Sequence, residues 1–289
     1  MILLILFLCL LFIHFILKDR YYTFSILYYA CPLPLIILFG LLVTLLFFSK
    51  KRIFYILIVL LVGMNCYFFL HYFGAAAEED KIATSSILFW NVAENKPLPT
   101  DIITEKIDQY HPEIIALVEA LPSQEDLNVL KKACPDYQFQ KLYGTMLVGI
   151  KGSIDNVEFK AKTSVYKFNF IKATINGKLF KIMIADVNAV PFFNKKFPLD
   201  FIHDFSQKHK VDVLLGDFNT PYESVFFENF KQDYYSFHPY SIGMTSTWPT
   251  KFPVIEIDQI WIGNKFQPIK MDKFCYKLSD HKMLLAKYK

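Results

Sequence analysis

Apolar residues fill three long runs at the start of the chain. Residues 1–17 are apolar except for His14, residues 27–48 apart from Thr44, and residues 53–73 carry only Asn65 and His71 as strongly polar members. About twenty such residues cross a bilayer core, so the second and third runs predict membrane-spanning helices outright and the first is marginal. No basic residue precedes the first run and no small-x-small site comes after it, which favours an anchor over a cleaved signal. Three helices at 1–17, 27–48 and 53–73 are therefore expected within a transmembrane region 1–73. Pro32 and Pro34 lie near the start of the second, and His14 and His71 read as helix-end or interfacial residues. Residues 74–86 contain Ala75-Ala-Ala77 and Glu78-Glu-Asp80 without an apolar period and predict a tether. Fully extended at about 3.5 Å per residue, it would reach some 45 Å, keeping the C-terminal domain close to the membrane.

From residue 86 the pattern shortens and mixes. A strand is expected at 86–91. Pro99-Thr100-Asp101 then opens a helix with Ile103, Ile107 and Tyr110 on one face, and Pro112 stops it. Ser123 caps a second helix with Glu125 and Asp126 in its first turn. Strands are expected next at 145–150, 157–162 and 165–175, and Asn176-Gly177 turns the last one back through 179–187. Phe197, Phe201 and Phe205, spaced by four, predict a helix whose aromatic stripe is core. The last strands are expected to end at Asp217, Asp258 and Ser279. Residues 87–289 thus read as one α+β domain, two packed sheets flanked by helices.

The polar residues that interrupt this pattern fall at strand ends. Ile87-Leu-Phe-Trp-Asn91 ends in an amide, and Ile114-Ile-Ala-Leu-Val-Glu119 in a carboxylate. Val213-Leu-Leu-Gly-Asp-Phe-Asn-Thr220 ends in Asp217 and Asn219, Val254-Ile-Glu-Ile-Asp258 in another acid, and Ser279-Asp-His281 adds an acid and an imidazole. Each alone has a bland reading; Gly-Asp-Phe-Asn is also turn chemistry. Five together predict a polar cluster on one rim of a layered sheet, where strand ends position side chains firmly.

In order and spacing these pieces resemble the endonuclease/exonuclease/phosphatase superfamily of metal-dependent phosphodiesterases, in particular bacterial members with an N-terminal membrane region. The matching pieces are Phe89-Trp-Asn91, Ala116-Leu-Val-Glu119, Gly216-Asp-Phe-Asn219, Thr247-Trp-Pro249 with Asp258-Gln-Ile260, and Ser279-Asp-His281. The resemblance covers roughly residues 85–289 and implies a four-layer β-sandwich, an order that periodicity does not supply. It implies a Mg²⁺ (or Mn²⁺) ion held by Glu119, with Asn91 beside it and Asp280 completing or supporting its coordination. Asp217 would orient or deprotonate the attacking water, and Asn219 would hold that water or the phosphate. His281 would bond the scissile phosphate while Asp258 fixes its tautomer. Such a set matches what phosphodiester hydrolysis requires, namely charge neutralisation and an activated water. Trp248 reads as a sheet-packing residue more than a pocket wall.

Three positions depart from the family pattern. Ile182-Met-Ile-Ala-Asp-Val-Asn188 has no histidine where many members carry a second one, leaving Asp186 or Asn188 in its place. Gly144-Thr-Met-Leu-Val-Gly149 lacks the usual following Ser-Arg, and Asp258 is followed by Gln259 rather than histidine. Two readings stay open: a membrane-tethered phosphodiesterase or phosphatase, and a family member that kept the fold as a binding or scaffold protein.

Charge narrows the substrate. Removing the five basic residues and one acid of residues 1–73 from the 31 and 27 of the whole chain leaves 26 of each. A formally neutral domain lacks the overall basic footprint of a duplex-DNA binder, so nucleic acid and phospholipid headgroups both remain as phosphate-ester partners. Lys50, Lys51 and Arg52 outnumber Lys18 and Arg20, which favours an extracytoplasmic catalytic domain. Cys134 and Cys275 show no metal-ligand spacing and read as small apolar fillers.

Overall fold

The computed structural model describes residues 1–74 and 85–289. The N-terminal runs fold as α1 (Ile2–Phe12, continued by a π-helical turn at Ile13–Leu17), α2 (Tyr22–Ala30), α3 (Leu33–Leu46) and α4 (Lys51–Tyr72), leading into the short strand β1 (Phe73–Gly74). Among the described residues, only α4 is by itself long and apolar enough to cross a membrane. The run expected at 27–48 is broken. Cys31 precedes Pro32, a position that disfavours helical backbone, and its φ of −120° and ψ of 67° end α2. Helix α3 restarts at Leu33 with 14 residues. The segment Ile2–Leu17 meets α2 at 112°. Most of the expected tether, residues 75–84, lies outside the described residues; its flanks, Gly74 and Ser85-Ser86, belong to strands.

The rest of the chain runs β2 (Ser85–Asn91), α5 (Thr100–Tyr110), β3 (Ile114–Val118), α6 (Gln124–Ala133), β4 (Tyr137–Leu142), β5 (Met146–Lys151), β6 (Ser153–Lys162), β7 (Tyr166–Ile175) and β8 (Lys178–Val187). It continues through α7 (Lys196–His209), β9 (Val213–Asp217), α8 (Glu228–Asp233), β10 (Tyr234–Ser236), β11 (Gly243–Met244), β12 (Asp258–Gly263), β13 (Pro268–Phe274) and β14 (Met283–Tyr288). Two six-stranded sheets result, ordered β13-β14-β2-β3-β5-β4 and β10-β12-β9-β8-β7-β6. Only β2–β3 and β8–β9 pair in parallel within them.

Alternation sorts each strand between two layers. Ile87 and Phe89 of β2 join Ile184 and Leu215 between the sheets, whereas Leu88 and Trp90 face α5 and α6 with Ile103, Ile107 and Leu127. On the far side, Leu199, Ile202 and Phe230 of α7 and α8 cover Met183 and Leu214. Burial on both faces explains why these strands read as unbroken apolar runs. The Ser123 helix start is a capping box, with Ser123 and Asp126 bonding each other's backbone N–H.

Direction is where the strand-end reading needs correction. Strand β12 begins at Asp258 and β14 begins just after His281. Both run antiparallel to strands that reach the rim, β9 and β2, so a rim residue is their first and not their last. The helical stripe is also uneven: Phe201 and Phe205 pack on the core, while Phe197 is exposed.

The helices dock on this domain through polar and backbone contacts. Asp19, 1% exposed, accepts hydrogen bonds from the Ser224 hydroxyl, from Val225 N at 3.1 Å and from the Tyr29 hydroxyl at 2.8 Å. Lys18 Nζ donates to the Glu223 carbonyl at 2.9 Å. At the other end, β1 pairs with β11, and His238 bonds both Glu256 and the His71 carbonyl.

Candidate active site

The parallel pairs bring their ends to one rim. Asn91 is level with Val118 across β2–β3, and Asp186 is level with Asp217 across β8–β9. Asn91 Nδ2 donates to Glu119 Oε1 at 3.1 Å and to Asp217 Oδ2 at 3.0 Å, so one amide joins the two sheets. Glu119 and Asn219 both turn out of their strands through left-handed backbone, with φ of 50° and 47°. Side chains other than glycine rarely adopt it, and it concentrates at functional sites.

His281 completes the cluster. Its Nδ1 donates to Asp258 Oδ2 at 2.8 Å, and its Nε2 lies 3.8 Å from Asp217 Oδ2. The turn that carries it is fixed by Ser279, whose Oγ donates to the Asn91 carbonyl at 2.7 Å and accepts from His281 N at 2.9 Å. Thr247 Oγ1 accepts from the backbone N–H of Ile257 and Asp258, both at 3.2 Å. Burial disfavours a charged imidazole, but Asp258 and then Asp217 and Asp280 outweigh it and hold His281 at about 10. Burial, reinforced by Asp258, pushes the Asp217 carboxyl well above the usual range.

Two donor sets for a cation are present. Asp217, Asp258 and His281 offer ligand atoms within 4.8 Å of one another, yet His281 Nδ1 is already bonded to Asp258 and its Nε2 faces Asp217. Glu119 presents a half-buried carboxylate to a cavity at this rim, and the buried Asn91 bonded to it has an amide oxygen that accepts from Ala93 N at 2.9 Å. An Mg²⁺-type ion takes oxygen ligands and keeps waters, so the second set fits it better.

The sequence profile of the Endonuclease/Exonuclease/phosphatase family matches residues 88–281, more than half of the chain. The chain belongs to this family. Endonuclease/exonuclease/phosphatase proteins are generally phosphoester hydrolases that depend on divalent metal. No curated protein matches the chain in sequence. Among solved structures, Danio rerio TDP2 in complex with a single-strand DNA product is similar at a TM-score of 0.55 and 15% identity, over 71% of this chain and 98% of that one. A family protein from Bacteroides thetaiotaomicron gives 0.55 and 13%, over 71% and 97%. A mannosyl-6-phosphatase from the same organism gives 0.52 and 12%, over 71% and 100%. At these identities the likeness is one of fold.

Of the residues singled out from sequence, Asn91, Glu119, Asp217, Asp258 and His281 stand together. Asn219 lines the same cavity, with Nδ2 donating to the Val187 carbonyl at 2.9 Å. Asp280 is exposed; it accepts from Trp248 Nε1 at 2.8 Å and lies 4.0 Å from His281 Nε2. Trp248 lines the cavity, with its indole N–H on a rim carboxylate, while its backbone bridges to Ile255. Two lysines bear on the site without any sequence signal. Lys167 pairs with Asp186 at 2.9 Å where the second histidine is missing. Lys195, 1% exposed, donates to the Asn188 carbonyl. Burial brings Lys195 down to about 8 against the pull of Asp217 and Asp186.

Proposed function

We propose that the chain is a membrane-tethered, divalent-metal-dependent hydrolase of phosphate esters. The convergence of Asn91, Glu119, Asp217, Asp258 and His281 on one rim carries this reading. Glu119 and Asn91, with Asp280 in support, would hold Mg²⁺ or Mn²⁺, which when bound neutralises charge on phosphoryl oxygens. Asp217, its basicity raised by burial, takes a proton from the attacking water. Asn219 holds that water through its remaining amide N–H. His281, kept cationic by Asp258, donates from Nε2 to a phosphoryl oxygen. The water oxygen bonds to phosphorus, the P–O bond to the departing group breaks, and that group leaves as an alcohol after taking up a proton from solvent, to which Asp217 returns its own.

Tethering is supported by the surface of the helices. Leu38, Leu41, Leu45, Ile56, Val59 and Val62 are exposed on α3 and α4, apolar surface of the kind found where a protein meets a membrane or a partner. Met1, Phe47 and Lys50 line one cavity, so the start of α1 and the α3–α4 turn share an end that carries Lys50, Lys51 and Arg52. A basic cytoplasmic end leaves the domain extracytoplasmic.

The test is hydrolysis of bis-p-nitrophenyl phosphate by the full chain in detergent with Mg²⁺ or Mn²⁺, beside Glu119→Ala and His281→Ala. Turnover abolished in both variants is the expected result. Folded wild-type protein inert with either metal, on this ester and on natural phosphate esters, would remove the reading.

A further inference from the structure

We infer that the N-terminal helices form one wall of the catalytic cleft, and that this wall receives the hydrocarbon chain of the substrate, an amphiphilic phosphodiester taken from the membrane. The inference rests on the hydrolase reading above and names its substrate class.

A cavity of about 650 Å³ has Glu119, Asp217 and His281 in its floor. It is lined also by Ile26 of α2 and Leu35 of α3, and from the domain by Trp248, Phe252 and Ile257. No lysine or arginine lines it. A second cavity of about 470 Å³ shares Glu119 and Asn219 with the first and opens among Lys162, Thr163, Ser164, Lys167 and Asn188. The reacting centre therefore sits where an apolar cavity meets a polar one, in which Lys162 and Lys167 stand beside Glu94 and Asp186. A phosphodiester with one hydrocarbon and one polar substituent matches both sides at once. A nucleic acid strand carries phosphates on both sides of the scissile one and calls for cations along its whole track, which the apolar side lacks.

The wall is built in. The buried Asp19 carboxylate ties the turn before α2 to Ser224 and Val225, and the Tyr29 hydroxyl of α2 itself donates to Asp19. With α1 in the membrane, helix α2 would also stand at the level of the lipid phosphates. It lies at 112° to Ile2–Leu17, so with α1 along the bilayer normal α2 runs near the membrane plane. It exposes Tyr22, Phe24 and Leu27, with Tyr21 just ahead of it, and aromatic residues of this kind favour the headgroup level. Leu35 and Phe252, at the cavity, are themselves exposed, which continues the apolar lining to the outer surface.

The test uses the full chain in one detergent with Mg²⁺ or Mn²⁺ and three probes: methyl p-nitrophenyl phosphate, octyl p-nitrophenyl phosphate and a single-stranded oligonucleotide. The readout is the octyl-to-methyl ratio of kcat/KM, in which loss of folded enzyme cancels. Burying the longer chain should raise it by at least about tenfold in the wild type. It should fall toward unity in Ile26→Glu, which charges the wall, and in Leu35→Trp, which fills it. Methyl-ester turnover with a wild-type ratio near unity would overturn the inference and leave the hydrolase reading intact. A high ratio that survives both substitutions would place the chain elsewhere and overturn it equally, as would an oligonucleotide cleaved with the highest kcat/KM. Turnover of none of the three would remove the hydrolase reading, and the inference with it.

Discussion

Asp217 and Asp258 stand directly opposite each other in the register of β9 and β12, and both side chains are buried. Two such carboxylates oppose each other's ionisation, and His281 lies between them as the countercharge. Replacing His281 by Ala removes the cation and leaves two buried acids. We expect a stability loss of about 3–5 kcal/mol, the cost of breaking a buried charge pair, read by chemical unfolding in detergent. Asp258→Asn keeps the shape but frees the imidazole, and should lower kcat by about 10²–10⁴-fold, the scale of general acid–base contributions. Wild-type kcat in Asp258→Asn would end the assigned role of this pair.

The same arrangement sets a pH dependence. His281 is raised from 6.5 to about 10 in the folded chain. A raised imidazole stabilises the fold fully below about pH 6.5, and that contribution is lost as pH rises toward 10. With metal chelated, the unfolding free energy should fall between pH 7 and pH 10 more steeply in the wild type than in His281→Gln. Parallel profiles would mean that His281 does not carry the charge.

Glu119 and Asn91 bear on metal affinity. Asn91 donates one amide group to two carboxylates, a positive edge in a place suited to a cation. Glu119→Gln removes the charge and keeps the size. Its Mg²⁺-induced rise in melting temperature should require metal concentrations higher by more than the roughly 10–100-fold that losing a supporting partner of a ligand costs. An unchanged titration would take Glu119 out of the ligand set.

Strand existence was legible here and strand direction was not. Ile87–Trp90 is buried on both faces, so its apolar run signals a strand without ambiguity. Alternation has no arrow, however, and Asp258 and Ser279 therefore read as strand ends although β12 starts at one and β14 shortly after the other. The break between α2 and α3 had a visible signal in Cys31-Pro32, masked by uniform apolar composition. Lys167 and Lys195 had none. A lone lysine on a strand or in a loop reads as solvated; the β7–β8 register sets Lys167 opposite Asp186, and the start of α7 brings Lys195 within the pull of Asp186 and Asp217. The apolar wall from α2 was hidden for the same reason, since residues that meet a cleft and residues that meet lipid look alike in sequence.

Gly216 shows how tightly the rim is set. A Cβ added there would lie 1.9 Å from the Ala185 carbonyl oxygen on β8, at a backbone φ of +154°. Gly216→Ala must therefore push β9 away from its parallel neighbour, one residue before Asp217. Backbone strain alone should cost about 1–3 kcal/mol, and hydrolysis should fall further than stability does because Asp217 is displaced from Asn91. Retention of both in Gly216→Ala would show that β8 and β9 separate without disturbing the site.

Asp19 tests whether the helices are a wall or only an anchor. Its carboxylate holds Ser224, Val225 and Tyr29 and touches none of the rim residues, so it acts by position. Asp19→Ala leaves buried hydroxyls of Ser224 and Tyr29 without their acceptor, at a cost of about 1–3 kcal/mol for each group left unsatisfied. The folded fraction should still hydrolyse a methyl phosphodiester, since the catalytic groups lie on other elements. Its preference for the octyl ester should shrink, because α2 is no longer pinned at the cavity it lines with Phe252. A wild-type preference in Asp19→Ala would mean that contacts other than this carboxylate, such as the β1–β11 pairing and the His238 bond to the end of α4, are enough to hold the wall.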